Sequence, residues 1–373
     1  MRRGGFVLFW LLGAALAQEI KVGVLAPLSG PAAADGKSVL SGIQIAAEEI
    51  NASGGLLGRR IELVVYDDQA DPRLAVNFVR RLIELDKVAF IIGGSYSGAS
   101  LAASPVANEA QVPFIAAYAV HPDITHGKPY AFRMGLLGPV QGRVGAFLAH
   151  RLGAKRVAVL SIQNDFGRSL EQGFRDQAAK LGLEVVFSEV YPPGNQNFSP
   201  LLARLKASGA QALYASGYYA EAANLVRQAR SLGLDIPIIG QEGYDSPKFI
   251  ELAGPAAEGV YITTTLDRDS QSPEVRGFLR KYQERTGLPA DMVGASGYAA
   301  LKVMAQAVQR AGGLDGPALR RGLLGLINLE TAVGKIFFFT SQGDPVKSAT
   351  VQVVKNGQFR RFLNVTDLAL LKP

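Results

Sequence analysis

The sequence predicts an α/β protein made of two Rossmann-like lobes, each with a parallel sheet. Short β-rich runs alternate with amphipathic helical runs along most of the chain, and the pattern restarts after Pro129. Strand-helix alternation with apolar strands implies parallel sheets covered on both faces. The chain has 373 residues, the length of about two domains.

The elements follow in order. Ile20–Ala26 reads as a strand. Helix Gly36–Asn51 comes next, with Val39, Leu40, Ile43, Ala46, Ala47 and Ile50 spaced three and four apart on one face. Strand Ile61–Tyr66 pairs in sequence with helix Pro72–Leu85, and strand Val88–Ile92 with helix Gly98–Glu109, before strand Pro113–Ala117. The second run contains strand Val157–Ser161, helix Arg168–Leu181, strand Glu184–Val190, helix Ser199–Ser208, strand Ala212–Ala215 and helix Ala220–Ser231. Glycine-bearing turns such as Ser53-Gly54-Gly55 and Leu181-Gly182 mark the junctions. The last third differs. Helices Pro273–Arg285, Asp291–Ala311 and Gly316–Leu326 precede strand Lys335–Phe339. A hairpin of Ala349–Val354 and Phe359–Leu363 turns at Lys355-Asn356-Gly357-Gln358.

Composition removes several classes of function. Apolar residues are 48% and charged residues 19%, which excludes a disordered or fibrous chain. The formal charge of +7 comes from scattered basic pairs such as Arg59-Arg60 and Arg360-Arg361, so no nucleic-acid footprint is expected. There is no cysteine. That excludes disulfides, thiolate metal sites, cysteine nucleophiles and lipid attachment to a cysteine. Arg2 and Arg3, the apolar run Phe6 to Leu16 and the Ala15-Leu16-Ala17 end describe a secretory signal cleaved after Ala17. A soluble, freely diffusing periplasmic protein without a lipid anchor is the expectation, and export argues against ATP- or NAD-dependent chemistry.

No catalytic constellation emerges, and the protein is not expected to be an enzyme or to hold a cofactor or metal. The three histidines, His121, His126 and His150, lack the ligand spacing of a zinc site. His121 and His126 flank a Pro-Asp turn and read as solvated loop residues, and His150 as a surface helix residue. Gly93-Gly94-Ser95-Tyr96-Ser97-Gly98 does not fit G-x-S-x-G, and neither a P-loop nor G-x-G-x-x-G occurs at a strand end. Asp67-Asp68 sits at a strand end, where residues often face a ligand crevice. Loop capping is favoured over metal or acid-base work for this pair.

A specific resemblance points to a binding function. The segments are Val24-Leu25-Ala26-Pro27-Leu28-Ser29-Gly30 and the helix run from Gly42-Ile43-Gln44-Ile45-Ala46-Ala47-Glu48-Glu49-Ile50-Asn51 to Ser53-Gly54-Gly55. Tyr66-Asp67-Asp68, Ile91-Ile92-Gly93, Asp165-Phe166-Gly167, Gly240-Gln241-Glu242-Gly243 and Gly334-Lys335-Ile336-Phe337-Phe338 extend the match. Together they resemble the leucine/isoleucine/valine-binding family of periplasmic solute receptors for ABC importers. The resemblance implies two lobes joined by three crossovers near residues 138, 266 and 340, with the ligand enclosed between them. Residues 18–138 with 267–340 then form the first lobe, and 139–266 with 341–373 the second. It implies a monomer that binds one amino-acid-like ligand and delivers it to an ABC permease in the inner membrane.

By that resemblance Ser97 takes the ligand carboxylate, Glu242 and the carbonyl of Tyr118 take the ammonium, and Tyr218 lines the pocket. The chemistry of the residues agrees. Ser97 precedes a helix whose N-terminus favours negative charge, although it also reads as an N-cap. Glu242, following a strand, suits an ammonium as an ionised acceptor. Departures from the family pattern concern the same place. Val120 stands at the position of a threonine, Tyr118 at that of an alanine, Phe166 at that of a tyrosine, and Asp35 where an aromatic often closes over the ligand side chain. A ligand whose polar end differs from leucine's, with a cationic or hydrogen-bonding group near Asp35, is one implication. The other is that Asp35 only caps helix Gly36–Asn51. A sensor lobe of the same fold serving a signalling partner and a secreted hydrolase using Asp67, Asp68 and Ser97 are the competing functions.

Overall fold

The computed structural model describes residues 19–373. The expected secretory signal, residues 1–17, lies outside the described residues. The first lobe carries five parallel strands, β1 (Ile20–Ala26), β2 (Ile61–Asp67), β3 (Phe90–Gly93), β4 (Phe114–Ala116) and β5 (Ala131–Arg133), in the order β2-β1-β3-β4-β5. In the second lobe, β6 (Arg156–Ile162), β7 (Glu184–Tyr191), β8 (Ala212–Ala215), β9 (Ile238–Gly240) and β10 (Tyr261–Thr264) repeat that winding as β7-β6-β8-β9-β10. A small antiparallel sheet follows, β11 (Ile327–Thr331), β12 (Gly334–Phe339) and β13 (Pro345–Lys347). The hairpin β14 (Ala349–Lys355) and β15 (Gln358–Val365) then adds antiparallel to β10 at the edge of the second sheet. Its two turn residues, Asn356 and Gly357, have φ of 53° and 67°, the left-handed conformation that a two-residue hairpin turn requires.

The helices are α1 (Ala33–Ala52), α2 (Pro72–Glu84), α3 (Ser97–Glu109), α4 (Gly138–Arg151), α5 (Asp165–Lys180), α6 (Ser199–Ala207), α7 (Tyr219–Ser231), α8 (Pro247–Ala253), α9 (Pro273–Thr286), α10 (Met292–Ala311), α11 (Gly316–Leu324) and the single turn α12 (Leu368–Leu371). They cover both faces of each sheet. In the first lobe Val24 packs with Ile43 and Tyr298 on one face, while its neighbour Leu25 packs with Val79 and Leu82 on the other. This is the period of two expected of a strand buried on both sides. Where α1 meets α10, Gly42 lies so close that an added Cβ would stand 1.9 Å from the Gly294 carbonyl oxygen.

The second core contains Leu136, Leu137 and Val140, then Ile262, and later Ala349 to Leu371. The first contains Phe132 and Met134, then Leu266, Tyr298 and Phe339. Apart from Val120, which joins the second core from within a first-lobe segment, core membership changes three times along the chain, so the two cores are interleaved in sequence.

Several helices begin earlier than periodicity indicates. α1 starts at Ala33 rather than Gly36, so Asp35 lies inside its first turn and does not act as its cap. α3 starts at Ser97, and Tyr96 is the residue before it, so Ser97 is not the N-cap either. The acidic pair does hold loops. Asp67 accepts hydrogen bonds from the Leu28 amide (2.8 Å) and Ser29 Oγ (2.6 Å), and Asp68 from the Ala70 amide and Ser95 Oγ. His126 is not merely solvated, because its Nε2 lies 3.1 Å from Oδ2 of the buried Asp344.

Candidate functional site

In both sheets the strand order reverses direction beside the first strand of the lobe, between β1 and β3 and between β6 and β8. Open α/β sheets form their ligand crevices at such switch points, beyond the carboxyl ends of the strands. The loops found there are Pro27–Ala32 and Gly94–Tyr96 from the first lobe, and Gln163–Asn164 and Ser216–Tyr218 from the second. They border a cleft of about 690 Å³ whose walls include Pro31, Tyr96, Asn164, Phe166, Tyr218 and Tyr219. Tyr219 Oη crosses it to donate to the Pro31 carbonyl at 3.0 Å.

Beside this cleft lies a second, narrow space of about 20 Å³, lined by Asp35, Ser97, Tyr118, Phe166, Tyr218 and Glu242 together with Tyr96, Met292 and Val293. Six of the seven residues expected from the sequence thus converge, from both lobes and from chain segments up to two hundred residues apart. The seventh, Val120, does not line the space. Its side chain is fully buried in the second core, and its amide donates to Ser97 Oγ at 3.3 Å. The Val120 backbone N–H is thus engaged by the serine.

Each side chain is held by its local structure. Gly36 lets the start of α1 press against the end of β1, since a Cβ there would stand 2.0 Å from the Pro27 carbonyl oxygen. That contact brings Asp35 to the crevice, where its Oδ2 accepts from Tyr96 Oη at 2.7 Å. Glu242 sits at the start of a single 3₁₀ turn, Glu242–Tyr244. Gln241 braces that turn, donating to the Gly217 carbonyl (2.9 Å) and accepting from the Gly243 amide (2.7 Å). Tyr118 Oη donates to the Gly94 carbonyl at 3.1 Å, fixing its ring across the floor.

The roof is aromatic. Tyr218 stacks on Tyr96 with centroids 4.2 Å apart and on Phe166 at 5.2 Å. Tyr96 meets Tyr118 edge to face at 6.1 Å. Offset stacked and edge-to-face pairs are the favoured aromatic geometries. These rings lie between the inner space and the outer cleft, and both spaces share Tyr96, Phe166 and Tyr218.

The electrostatics are those of two buried acids. Asp35 and Glu242 are 5% and 3% exposed. Burial pushes the Asp35 carboxyl up to about 7, against the hydrogen bond from Tyr96, and Asp291 reinforces the rise. Burial likewise raises Glu242 to about 8, partly offset by Gln141 and Lys347. Glu242 Oε2 is buried without a hydrogen-bond partner among the described residues. Such an oxygen costs free energy until something donates to it. No group of three or more His, Asp or Glu side chains among the described residues is placed to hold a metal ion.

Tyr96, Met292 and Val293 were not anticipated. Tyr96 was recoverable, because it belongs to the same switch-point turn as Ser97. Met292 and Val293 open a helix that reads from its periodicity only as core.

Residues 19–358 match the family described as periplasmic binding protein. The chain belongs to the periplasmic binding protein family. Among its relatives is a leucine-, isoleucine-, valine-, threonine- and alanine-binding protein of Pseudomonas aeruginosa, 31% identical over 86% of each chain. The leucine-binding protein of Thermotoga maritima is 33% identical, covers 93% of this chain and 99% of its own, and superposes with a TM-score of 0.86. The branched-chain amino acid transporter substrate-binding protein of Streptococcus pneumoniae, solved in complex with isoleucine, is 27% identical. It covers 93% of this chain and all of its own, with the same TM-score. The family fold is thus the two-lobed α/β architecture with its cleft between the lobes.

Proposed function

We propose that this protein is the periplasmic substrate-binding component of an ABC importer, and that it captures an amino-acid-type ligand between its lobes and presents it to a permease in the inner membrane. The observation that carries this reading is the convergence of Ser97, Tyr118 and Asp35 from one lobe with Phe166, Tyr218 and Glu242 from the other on one narrow space. In this reading Ser97 and the first amides of α3 receive a carboxylate, where the helix dipole favours negative charge. Glu242 and the Tyr118 carbonyl receive the ammonium, and the unpartnered Glu242 Oε2 supports that role. The rings of Phe166 and Tyr218 supply the apolar wall.

The mechanism we infer is hinge closure. A space of about 20 Å³ holds little more than one water molecule. An amino acid therefore enters only when the lobes part or Tyr218 swings away, and it is then covered by the aromatic roof. Closure excludes water and strengthens every charge contact inside. The lobes would move as bodies about segments near residues 138, 266 and 340, so that 18–138 with 267–340 and 139–266 with 341–373 are the units. Binding without turnover by a monomer is the corresponding activity.

The test is native mass spectrometry of protein purified from its own periplasm, followed by calorimetry with the released compound and with leucine, isoleucine and valine. One molecule bound per chain, recovered unchanged, is the expected result. Chemical conversion of that compound by the purified protein, or capture of no small molecule carrying an amine, would overturn the reading.

A further inference from the structure

We propose that the ligand of the inner space carries two positively charged nitrogen groups, an α-ammonium for Glu242 and a side-chain cation for Asp35, which is the chemistry of a basic amino acid. This deepens the proposed function and rests on it.

Two carboxylates from opposite lobes line one small space, and both are more than nine-tenths buried. The remaining lining is aromatic, aliphatic or hydroxylic and includes no lysine, arginine or histidine. Neither acid has an ion-pair partner among the described residues. Of the other buried acids, Asp68 and Asp291 are held by hydrogen bonds alone, and two more are ion-paired. Asp344 is matched by Arg133, and Asp245 by Arg268. Buried carboxylates are costly unless paired and hydrogen-bonded, and the cations that act on Glu242, Lys347 and Arg133, do so from beyond ion-pair distance.

The two sites differ in what they leave open. Glu242 has an oxygen with no donor at all. Asp35 receives one donor, Tyr96 Oη, against the several acceptor positions of an ionised carboxylate. An aliphatic side chain laid against Asp35 would strip its water and return no hydrogen bond. A nitrogen cation returns both charge and donors. The rings of Tyr96, Tyr118, Phe166 and Tyr218 around the same space add favourable faces for a cation.

The experiment is a calorimetric series at neutral pH with L-leucine, L-glutamine, 2,4-diaminobutyrate, L-ornithine, L-lysine and L-arginine, on the wild type and on Asp35→Asn. At least one basic amino acid should bind about tenfold or more tighter than both leucine and glutamine, the effect of one charged hydrogen bond gained in place of one lost. Asp35→Asn should reduce that preference by a similar factor. Leucine or glutamine as the tightest ligand would overturn the inference while leaving the proposed function standing. Absence of binding by every member would also overturn the inference, and the compound released from the purified protein then decides the proposed function. If Asp35→Asn does not fold, judged by circular dichroism, the wild-type series decides alone. A folded Asp35→Asn with its preference intact would also overturn the assignment.

Discussion

Tyr96 of the first lobe lies face to face with Tyr218 of the second, ring centroids 4.2 Å apart and planes 7° from parallel. This pair joins the two lobes directly above the buried acids, and Phe166 continues the stack on the far side of Tyr218. Stacked pairs contribute about 0.5–1.5 kcal/mol beyond the area they bury. Tyr218→Ala should therefore weaken ligand binding by roughly three- to tenfold, most of it in a faster dissociation rate. Small-angle scattering of the saturated variant should also give a larger radius of gyration than the saturated wild type. Unchanged affinity and dimensions would show that the ring stack plays no part in closure.

The buried acids give the protein a specific dependence on pH. Below the ordinary carboxylate range, Asp35 and Glu242 are protonated in the folded and unfolded chain alike. As pH rises from there, the unfolded chain releases their protons first, because the folded values are raised to about 7 and about 8. Their contribution to stability is thus fully present at low pH and is lost as pH rises through those folded values. Lys347, pulled down to about 7 by burial, adds a slope of opposite sign above that point. The comparison of wild type with Glu242→Gln isolates the acid. The variant should gain in unfolding midpoint relative to wild type between about pH 5 and 8 and match it near pH 4. An equal offset at all pH values would refute the burial effect.

Ligand binding should show the same acids from the other side. Tyr96, Tyr118, Tyr218 and Asp291 face Asp35, while Gln141, Lys347, Asp245 and Arg133 act on Glu242. A bound cation favours the ionised form of each acid and lowers its pKa. Protons should therefore leave the protein on binding near pH 7, and affinity should rise from pH 6 to pH 8. Calorimetry in two buffers of different ionisation enthalpy measures the release directly. Identical heats in both buffers would contradict it.

Ser97 is tested through the carboxylate it is proposed to hold. Its hydroxyl already accepts from the Val120 amide, which orients it at the start of α3. Removing a hydrogen bond to a charged group costs about 1.5–3 kcal/mol. Ser97→Ala should narrow the affinity gap between an amino acid and its decarboxylated amine by one to two decades. The pairs L-lysine with cadaverine and L-leucine with isopentylamine provide the measurement, and a gap as wide as in the wild type would remove Ser97 from the site.

Much of this site was legible in the sequence because strand-helix alternation fixes where each loop emerges. Ser97, Phe166, Tyr218 and Glu242 all follow strands, and in a parallel sheet those loops share one side. Helix starts were less legible. The first turns of α1 and α5 face the crevice, so Asp35 and Phe166 interrupt the apolar periodicity that marks the sheet-facing side. Val120 failed for the opposite reason, since its local sequence carries no sign that the chain turns its side chain into the second core. Met292 and Val293 reach the site through the packing of α10 on α1, a contact between residues some 250 positions apart that no local pattern encodes.

The turn between β12 and β13 offers a last prediction. Arg133 and Asp344 are both fully buried, with Nε donating to Oδ1 at 2.7 Å. The same guanidinium donates to the carbonyls of His121 and Pro122 and to Thr125 Oγ1, while Asp344 accepts from Thr125 Oγ1. The pair thereby ties the loop after β4 to the turn between β12 and β13. Breaking a buried pair by removing one member leaves an uncompensated charge and costs about 3–5 kcal/mol, whereas replacing both with apolar groups costs far less. Arg133→Met should lower the denaturant midpoint sharply, and adding Asp344→Leu should recover a large part of the loss. The carbonyls of His121 and Pro122 remain without their donor in the double variant, so recovery should stop short of the wild type. Additive losses in the two single variants would mean that the residues act independently, and that the loop and the turn are tied at this point by packing rather than by charge.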